Sequence, residues 1–202
     1  DDTPYSERQG MLMMAEPIWQ CYKAVAGDRK PHVVYMSPQG RTLTQAKCLE
    51  LSRLDDLFIL CGHYEGVDQR VLDKIVDEEI SLGDFVLTGG ELPAVVLVDG
   101  IVRMLDGTLG HSQSHEDESH FDGLLEYPQY TRPEVWQGMA VPQVLISGHR
   151  ENIMKWRRYK KLEQTYKKRP ELLKNAKLDL VDKANLSEIS AIYDEHPHIF
   201  DD

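Results

Sequence analysis

Cysteine is scarce in this 202-residue chain. Cys21, Cys48 and Cys61 form no CxxC pair, and each lies in an apolar stretch. They read as buried thiols of a reducing compartment, and a disulfide framework is not expected. No HExxH or paired-cysteine pattern marks a metal centre. His111, His115 and His120 stand near Glu116 and Asp117, but the stretch is hydrophilic and reads as a mobile loop, so no metal ligand is assigned. No apolar run approaches the ~20 residues of a helical membrane span, and a soluble protein is expected. GxGxxG and GxxxxGK[ST] are both missing, which removes the fingerprints of a dinucleotide fold and of a phosphate-loop NTPase. The opening DDTPYSERQG has neither a signal-peptide nor a transit-peptide pattern.

The net charge of −11 argues at first against a nucleic-acid partner, but its distribution reverses that inference. Between Arg150 and Arg169, nine basic residues stand against Glu151 and Glu163. This local excess coincides with Trp156, Tyr159 and Tyr166 on one helix-like stretch, which suits phosphate contacts combined with base stacking. A salt-laced surface helix is the plainer alternative. Arg150, Trp156, Arg157, Lys160 and Lys161 are the candidate RNA-binding residues.

Three strand-loop-helix units fill residues 32 to about 105. Val33 to Met36 leads into Ser37-Pro38-Gln39-Gly40 and a helix from Thr44. Leu57 to Cys61 leads into Gly62-His63-Tyr64-Glu65-Gly66 and a helix from about Asp68. In the third, Asp84 to Thr88 is apolar at Phe85, Val86 and Leu87 and reads as a buried parallel strand. Gly89 and Gly90 then turn the chain, and Pro93 opens a helix with Val95, Val98, Val102 and Leu105 along its apolar stripe. Three loops therefore gather at the carboxyl edge of one sheet, where open α/β folds bind ligands.

Before these units Pro17 opens a helix that packs through Ile18, Cys21, Tyr22 and Val25 and stops at Gly27. From Asp106 to Asp122 the chain is too polar to bury itself and reads as a linker. Beyond it come YPQYTRP, a short apolar run at Val144 to Ile146, the basic helix anchored by Ile153 and Trp156 and ended by Pro170, then small helices.

YMSPQG at 35–40, LCGHYEGVDQRV at 60–71, SLGDFVLTGGELP at 81–93 and GLLEYPQYTRPEV at 123–135 together resemble the bacterial tRNA (guanine-N1)-methyltransferases, a knotted (SPOUT-class) family. The resemblance runs from Asp1 through the Arg169-Pro170 step. It implies an α/β fold with a parallel sheet whose last loop is threaded through a trefoil knot, plus a small, mostly helical C-terminal domain. The corresponding boundaries are 1–110 for the knotted domain, 111–122 for a flexible linker and 123–202 for a tRNA-binding domain. Relatives carry a further strand and helix ahead of this start, and the chain does not begin with Met. A fragment of a longer product and a disordered acidic leader both remain open.

The resemblance implies S-adenosylmethionine as methyl donor, held at Tyr35, Ser37, Pro38, Gly40, Gly62, Tyr64, Glu65, Leu82, Gly83, Asp84, Phe85, Val86, Leu87, Gly89, Gly90 and Pro93. It implies methylation of N1 of the guanine 3′ of the anticodon, in a cytoplasmic homodimer whose sites combine the knot of one chain with the linker and C-terminal domain of the other. Magnesium is admitted as an activator without identified ligands. The chemistry requires a base at N1 and a cation facing O6. Arg103 matches the family's catalytic arginine. The base position departs from the family: relatives carry an aspartate before a serine, and Glu118 precedes Ser119 here, with Asp117 as the alternative. Ser6-Glu7-Arg8-Gln9 replaces a glycine-rich stretch. The competing readings are a non-catalytic RNA-binding relative and a methyltransferase acting on another RNA or on ribose.

Overall fold

The computed structural model describes residues 1–5, 9–105, 107–108 and 119–195. The chain divides into two compact units, Asp1–Gly110 and His111–Asp202.

In the first unit, helix α1 (Ala15–Ala26) precedes strand β1 (His32–Thr42), followed by α2 (Gln45–Leu51), β2 (Leu57–Cys61), α3 (Gln69–Ile75), β3 (Glu78–Ser81) and α4 (Glu91–Val102). The strands form one parallel sheet in the order β2-β1-β3, with His32 opposite Leu57 and Val34 opposite Glu78. Successive side chains of β1 point to opposite faces. Val33 and Tyr35 therefore join Ile18, Leu60, Val71 and Ile75 in one core, while Val34 and Met36 join Leu51, Ile80, Leu97 and Ile101 in the other. Burial on both faces explains the apolar run Val33 to Met36; β1 then continues through Thr42, so residues 37–40, expected as a loop, belong to the strand. Thr44 and Asp68 cap α2 and α3, each side chain accepting a backbone N–H from the first turn.

The third strand is not where the sequence predicts it. β3 lies at Glu78–Ser81, and Phe85, Val86 and Leu87 are exposed in an irregular segment, Val86 by 79%. Ser81 is responsible for the departure from the sheet. Its Oγ accepts from the Gly83 amide at 3.1 Å and donates to the Gly83 carbonyl at 2.9 Å, while Gly83 takes φ +156°. Of the two acidic residues that hide β3, Glu78 is tolerated because it meets His32 Nε2 at 2.7 Å and Lys47 Nζ at 3.0 Å. Burial pushes the Glu78 carboxyl up, but these hydrogen bonds outweigh it and leave the group below its ordinary range.

Three further expectations are corrected. α4 buries Leu97 and Ile101, leaving Val95, Val98, Val102 and Leu105 exposed within the chain. A helix apolar on every side gives periodicity no single face to select. Cys21 is exposed, Cys48 is buried and Cys61 is half-buried; burial raises the Cys48 and Cys61 thiols. Helices α1 and α4 start two residues ahead of Pro17 and Pro93.

The second unit holds a hairpin of β4 (Val135–Trp136) and β5 (Met139–Ala140), then α5 (Gln143–Ile146), α6 (Arg150–Lys168), a 3₁₀ turn (Pro170–Lys174) and α7 (Leu180–Glu195). Gln137 and Gly138 both have positive φ, as the tight hairpin turn requires. Leu124, Leu162 and Ile189 form the core, with Tyr159 and Tyr166 packed against it. The anchor of α6 is thus Leu162 with its two flanking tyrosines, whereas Ile153 and Trp156 are only half-buried. Thr165 closes the join, accepting from the Leu125 amide at 2.9 Å and donating to the Lys161 carbonyl at 2.7 Å.

Candidate functional site

A cleft of about 350 Å³ opens at the carboxyl edge of the sheet in the first unit. Its wall comes from the end of β1, the loop after β2, and the segment between β3 and α4. Thirteen of the sixteen residues expected to bind the donor line it: Tyr35, Ser37, Pro38, Gly62, Tyr64, Glu65, Leu82, Phe85, Val86, Leu87, Gly89, Gly90 and Pro93. Gly40, Gly83 and Asp84 stand outside the lining. Gly40 serves the fold, because a Cβ there would strike the backbone of Glu79 and, at 2.5 Å, the Ile80 nitrogen. Gln39, His63, Glu79, Ser81 and Thr88 also line the cleft and were missed. Gln39 lies in β1 beyond its apolar run, His63 follows β2, Glu79 and Ser81 belong to β3, and Thr88 lies in the segment before α4, so their only signal was position.

Close backbone approach shapes the cleft. The Gly90 amide donates to the Gly62 carbonyl at 2.8 Å. A Cβ on Gly90 would fall 2.7 Å from Cys61 Cα, and one on Gly62 would fall 2.8 Å from the Tyr35 hydroxyl. Tyr35 sits on the buried side, where desolvation, with the nearby Glu79 charge, raises its phenol and keeps it a neutral hydrogen-bonding group. Tyr64 takes φ +56°, a conformation that non-glycine residues adopt at local cost, and its ring meets His63 edge-on at 4.6 Å.

That loop is tied to the start of the chain. Glu65 donates to Met11, Met13 to Gly66 and Asp68 to Met13, at 3.0, 2.9 and 3.0 Å. Ser6, Glu7 and Arg8 lie outside the described residues, so the atypical stretch is represented only by Gln9.

Arg103 is the C-terminal cap of α4 and is half-buried. Pro93, at the cleft, precedes it by about ten residues, on the order of 15 Å of helix. Arg103 is not among the residues that line the cleft. Glu118 and Asp117 lie outside the described residues, as do His111, His115 and Glu116.

In the second unit the basic residues of α6 separate into two kinds. Arg158 and Lys161 are drawn into the fold: Arg158 meets Asp122 at 2.9 Å and Asp182 at 2.6 Å, and Lys161, only 5% exposed, reaches Asp122 at 3.3 Å. Lys161 therefore does not present its charge to solvent as the sequence predicts; Asp122 and the Leu162 turn hold it. Lys160 pairs with Glu163 at 2.6 Å. Arg157 lies over the Tyr127 ring at 4.8 Å, and Trp156 meets Tyr130 at 6.4 Å. Arg150 opens the helix.

Among the described residues no helix is long and apolar enough to cross a membrane, and no group of three His, Cys, Asp or Glu side chains is placed to hold a metal ion.

A parallel α/β unit with its cleft at the carboxyl strand ends defines an open-sheet ligand-binding protein. A family model described as tRNA (Guanine-1)-methyltransferase TrmD matches residues 1–175. A protein named tRNA (guanine-N(1)-)-methyltransferase from Ruminiclostridium cellulolyticum is 55% identical over 174 residues, 85% of this chain and 75% of the relative. Relatives of the same name from Clostridium botulinum (strain Loch Maree) and Cupriavidus taiwanensis are 53% identical over 190 residues and 51% identical over 201 residues. These matches cover 94% and 95% of this chain, and 79% and 77% of the relatives. The chain belongs to the tRNA (Guanine-1)-methyltransferase family.

Proposed function

We propose that this chain transfers a methyl group from S-adenosylmethionine to N1 of the guanine 3′ of the anticodon in tRNA. The observation that carries the reading is the cleft, which thirteen of the expected donor-binding residues line at one sheet edge. Its size falls in the range of small-molecule sites, ~300–1,000 Å³. The residues fit the donor: glycines 62, 89 and 90 let the backbone approach, and the Tyr35 phenol and strand-end amides supply polar contacts. Bound there, S-adenosylmethionine supplies an electrophilic methyl on a sulfonium. The segment between β3 and α4 is the piece that the trefoil knot of this family would thread.

The chain's own residues have three tasks. The Glu118 carboxylate removes the N1 proton, with Asp117 as the alternative base. The Arg103 guanidinium stabilises the negative charge that develops on O6 as that proton leaves. The α6 face with Arg150, Trp156, Arg157 and Lys160 holds the RNA so that an unpaired guanine can be splayed into the cleft.

A homodimer accounts for two observations. Leu92, Val95 and Val96 on α4 are 69, 65 and 49% exposed, and Phe85 to Leu87 add to them an apolar surface that a single chain leaves in water. Arg103 sits a helix length from its own cleft, which suits a site completed by a second copy. The enzyme is assigned to the cytoplasm, where its RNA substrate is; magnesium, as an activator, has no ligands assigned.

The test is transfer of labelled methyl groups to tRNA followed by nucleoside analysis. Label is expected in N1-methylguanosine. Label on a ribose oxygen, or RNA binding without transfer, overturns the reading in favour of its two rivals.

A further inference from the structure

Within the second unit a cavity of about 470 Å³ runs along one face of α6, with Asp122, Tyr127, Arg150, Arg157, Arg158 and Lys161 in its wall. Positions 150, 154, 157, 158 and 161 recur at helical spacing, so four cations converge on one space.

Their charges are not equivalent. Arg158 donates from Nε to Asp182 at 2.9 Å, from one amino group to Asp182 at 2.6 Å and from the other to Asp122 at 2.9 Å. Lys161 shares Asp122. Two carboxylates thus offset two cations. Arg150 and Arg157 have no carboxylate partner among the described residues, and theirs is the excess charge facing the cavity.

Arg157 adds a second observation. One face of its guanidinium is covered by the Tyr127 ring, and its Nε is buried without a hydrogen-bond partner. A buried guanidinium N–H without an acceptor is unfavourable, and an entering anionic oxygen removes that deficit. The planar fork of arginine matches the paired oxygens of a phosphate group. Trp156, adjacent in sequence, pairs with the half-exposed Tyr130, which places an aromatic surface beside the cation. Aromatic and cationic groups side by side suit RNA more than a free oxyanion.

We infer that this cavity is a phosphate socket that seats one phosphodiester of bound RNA between Arg150 and Arg157, while Tyr127 fixes the plane of Arg157. The inference rests on the tRNA reading above and adds to it a place and a residue pair. Asp122 would repel the incoming anion, and its bonds to Arg158 and Lys161 offset that repulsion. The four cations of the cavity accordingly split into Arg158 and Lys161, which build the socket wall, and Arg150 and Arg157, which grip.

The test uses the full chain and a salt series of tRNA binding for four proteins: the natural sequence, the double variant Arg150→Gln with Arg157→Gln, the single variant Arg157→Lys, and Lys183→Gln, which removes an exposed charge on α7. The double variant is expected to lower the slope of log affinity against log salt by about 0.7 to 0.9, the share of one neutralised phosphate. Lys183→Gln should keep the natural slope. Arg157→Lys retains charge and stem but loses the fork, and should bind tRNA more weakly at a near-natural slope; that loss of affinity keeps the test readable if the double variant unfolds. Inorganic phosphate followed by ³¹P line width should be broadened by the natural protein, less so by the double variant, and released by tRNA. A natural slope in the double variant, or natural tRNA affinity in Arg157→Lys, overturns the socket while leaving tRNA binding in place. Phosphate that tRNA does not displace overturns its assignment to RNA. Absence of tRNA binding by the natural protein overturns both this inference and the functional reading.

Discussion

The Gly90 amide donates to the Gly62 carbonyl at 2.8 Å, so two loops that both line the cleft touch backbone to backbone. Neither residue has a positive φ; what demands glycine is space. Gly90→Ala would place a methyl group 2.7 Å from Cys61 Cα and 2.8 Å from the Gly62 nitrogen, against backbone that cannot rotate away. The expected result is a loss of about 1–3 kcal/mol in denaturant unfolding, the usual cost of forced overpacking, together with weaker donor binding by calorimetry.

Lys161→Ala tests the division of labour on α6. The side chain is buried against Asp122, so its removal should lower stability by about 1–3 kcal/mol in urea unfolding, through lost packing and a weakened ion pair. The salt dependence of tRNA binding should stay at its natural slope. A reduced slope with unchanged stability would return Lys161 to the RNA-binding face.

Much of this fold was legible because local chemistry and tertiary context agree. β2, α2 and α3 fall where apolar runs, Thr44 and Asp68 place them, whereas β1 starts at its apolar run but continues through residues 37–40, expected as a loop, to Thr42. β3 was hidden because Glu78 and Glu79 look like surface, and the His32 and Lys47 partners that make Glu78 acceptable come from distant positions in the chain. Phe85 to Leu87 misled for the converse reason: apolar residues in a row suggest a strand, yet Ser81 and Gly83 turn the chain off the sheet first. The cleft residues with a motif signature were found. Gln39, His63 and Thr88 were not, since a polar residue past the apolar run of a strand looks like any loop residue until the sheet order is known. Lys161 and Lys160 carry the same sequence signal, yet Lys161 is buried beside Asp122 while Lys160 pairs with Glu163.

Asp182 makes the second unit sensitive to acid. Its carboxyl is 2% exposed, and the hydrogen bond from Arg158 lowers it below the ordinary carboxylate range. A depressed carboxyl contributes stability that is complete above its unfolded-state pKa, near 4, and is lost as pH falls through the lower folded-state value. Stability of the second unit, followed by helical signal, should therefore decline below about pH 4. Asp182→Asn should destabilise by about 3 kcal/mol at neutral pH and flatten that acid limb. An unchanged acid limb would show that the Arg158 pair does not set it.

For the chemical step, Glu118→Gln should slow single-turnover methylation by about 100-fold or more, the span of general-base catalysis, with little change in affinity for tRNA or donor. Asp117→Asn is the matched comparison. If that variant is the crippled one and Glu118→Gln is mild, the base lies one residue earlier. If neither slows the step, a carboxylate of this segment is not the base.

The cleft at the carboxyl edge of the β2-β1-β3 sheet is the proposed donor site. Calorimetric titration of S-adenosylmethionine into the chain tests it most directly, paired with Gly62→Glu, whose side chain would enter the space beside the Tyr35 hydroxyl. Saturable binding at one site per chain is expected for the natural sequence, and its loss in a Gly62→Glu protein that still unfolds cooperatively. Saturable binding of undiminished affinity in that folded variant, or no binding to the natural sequence, would contradict it.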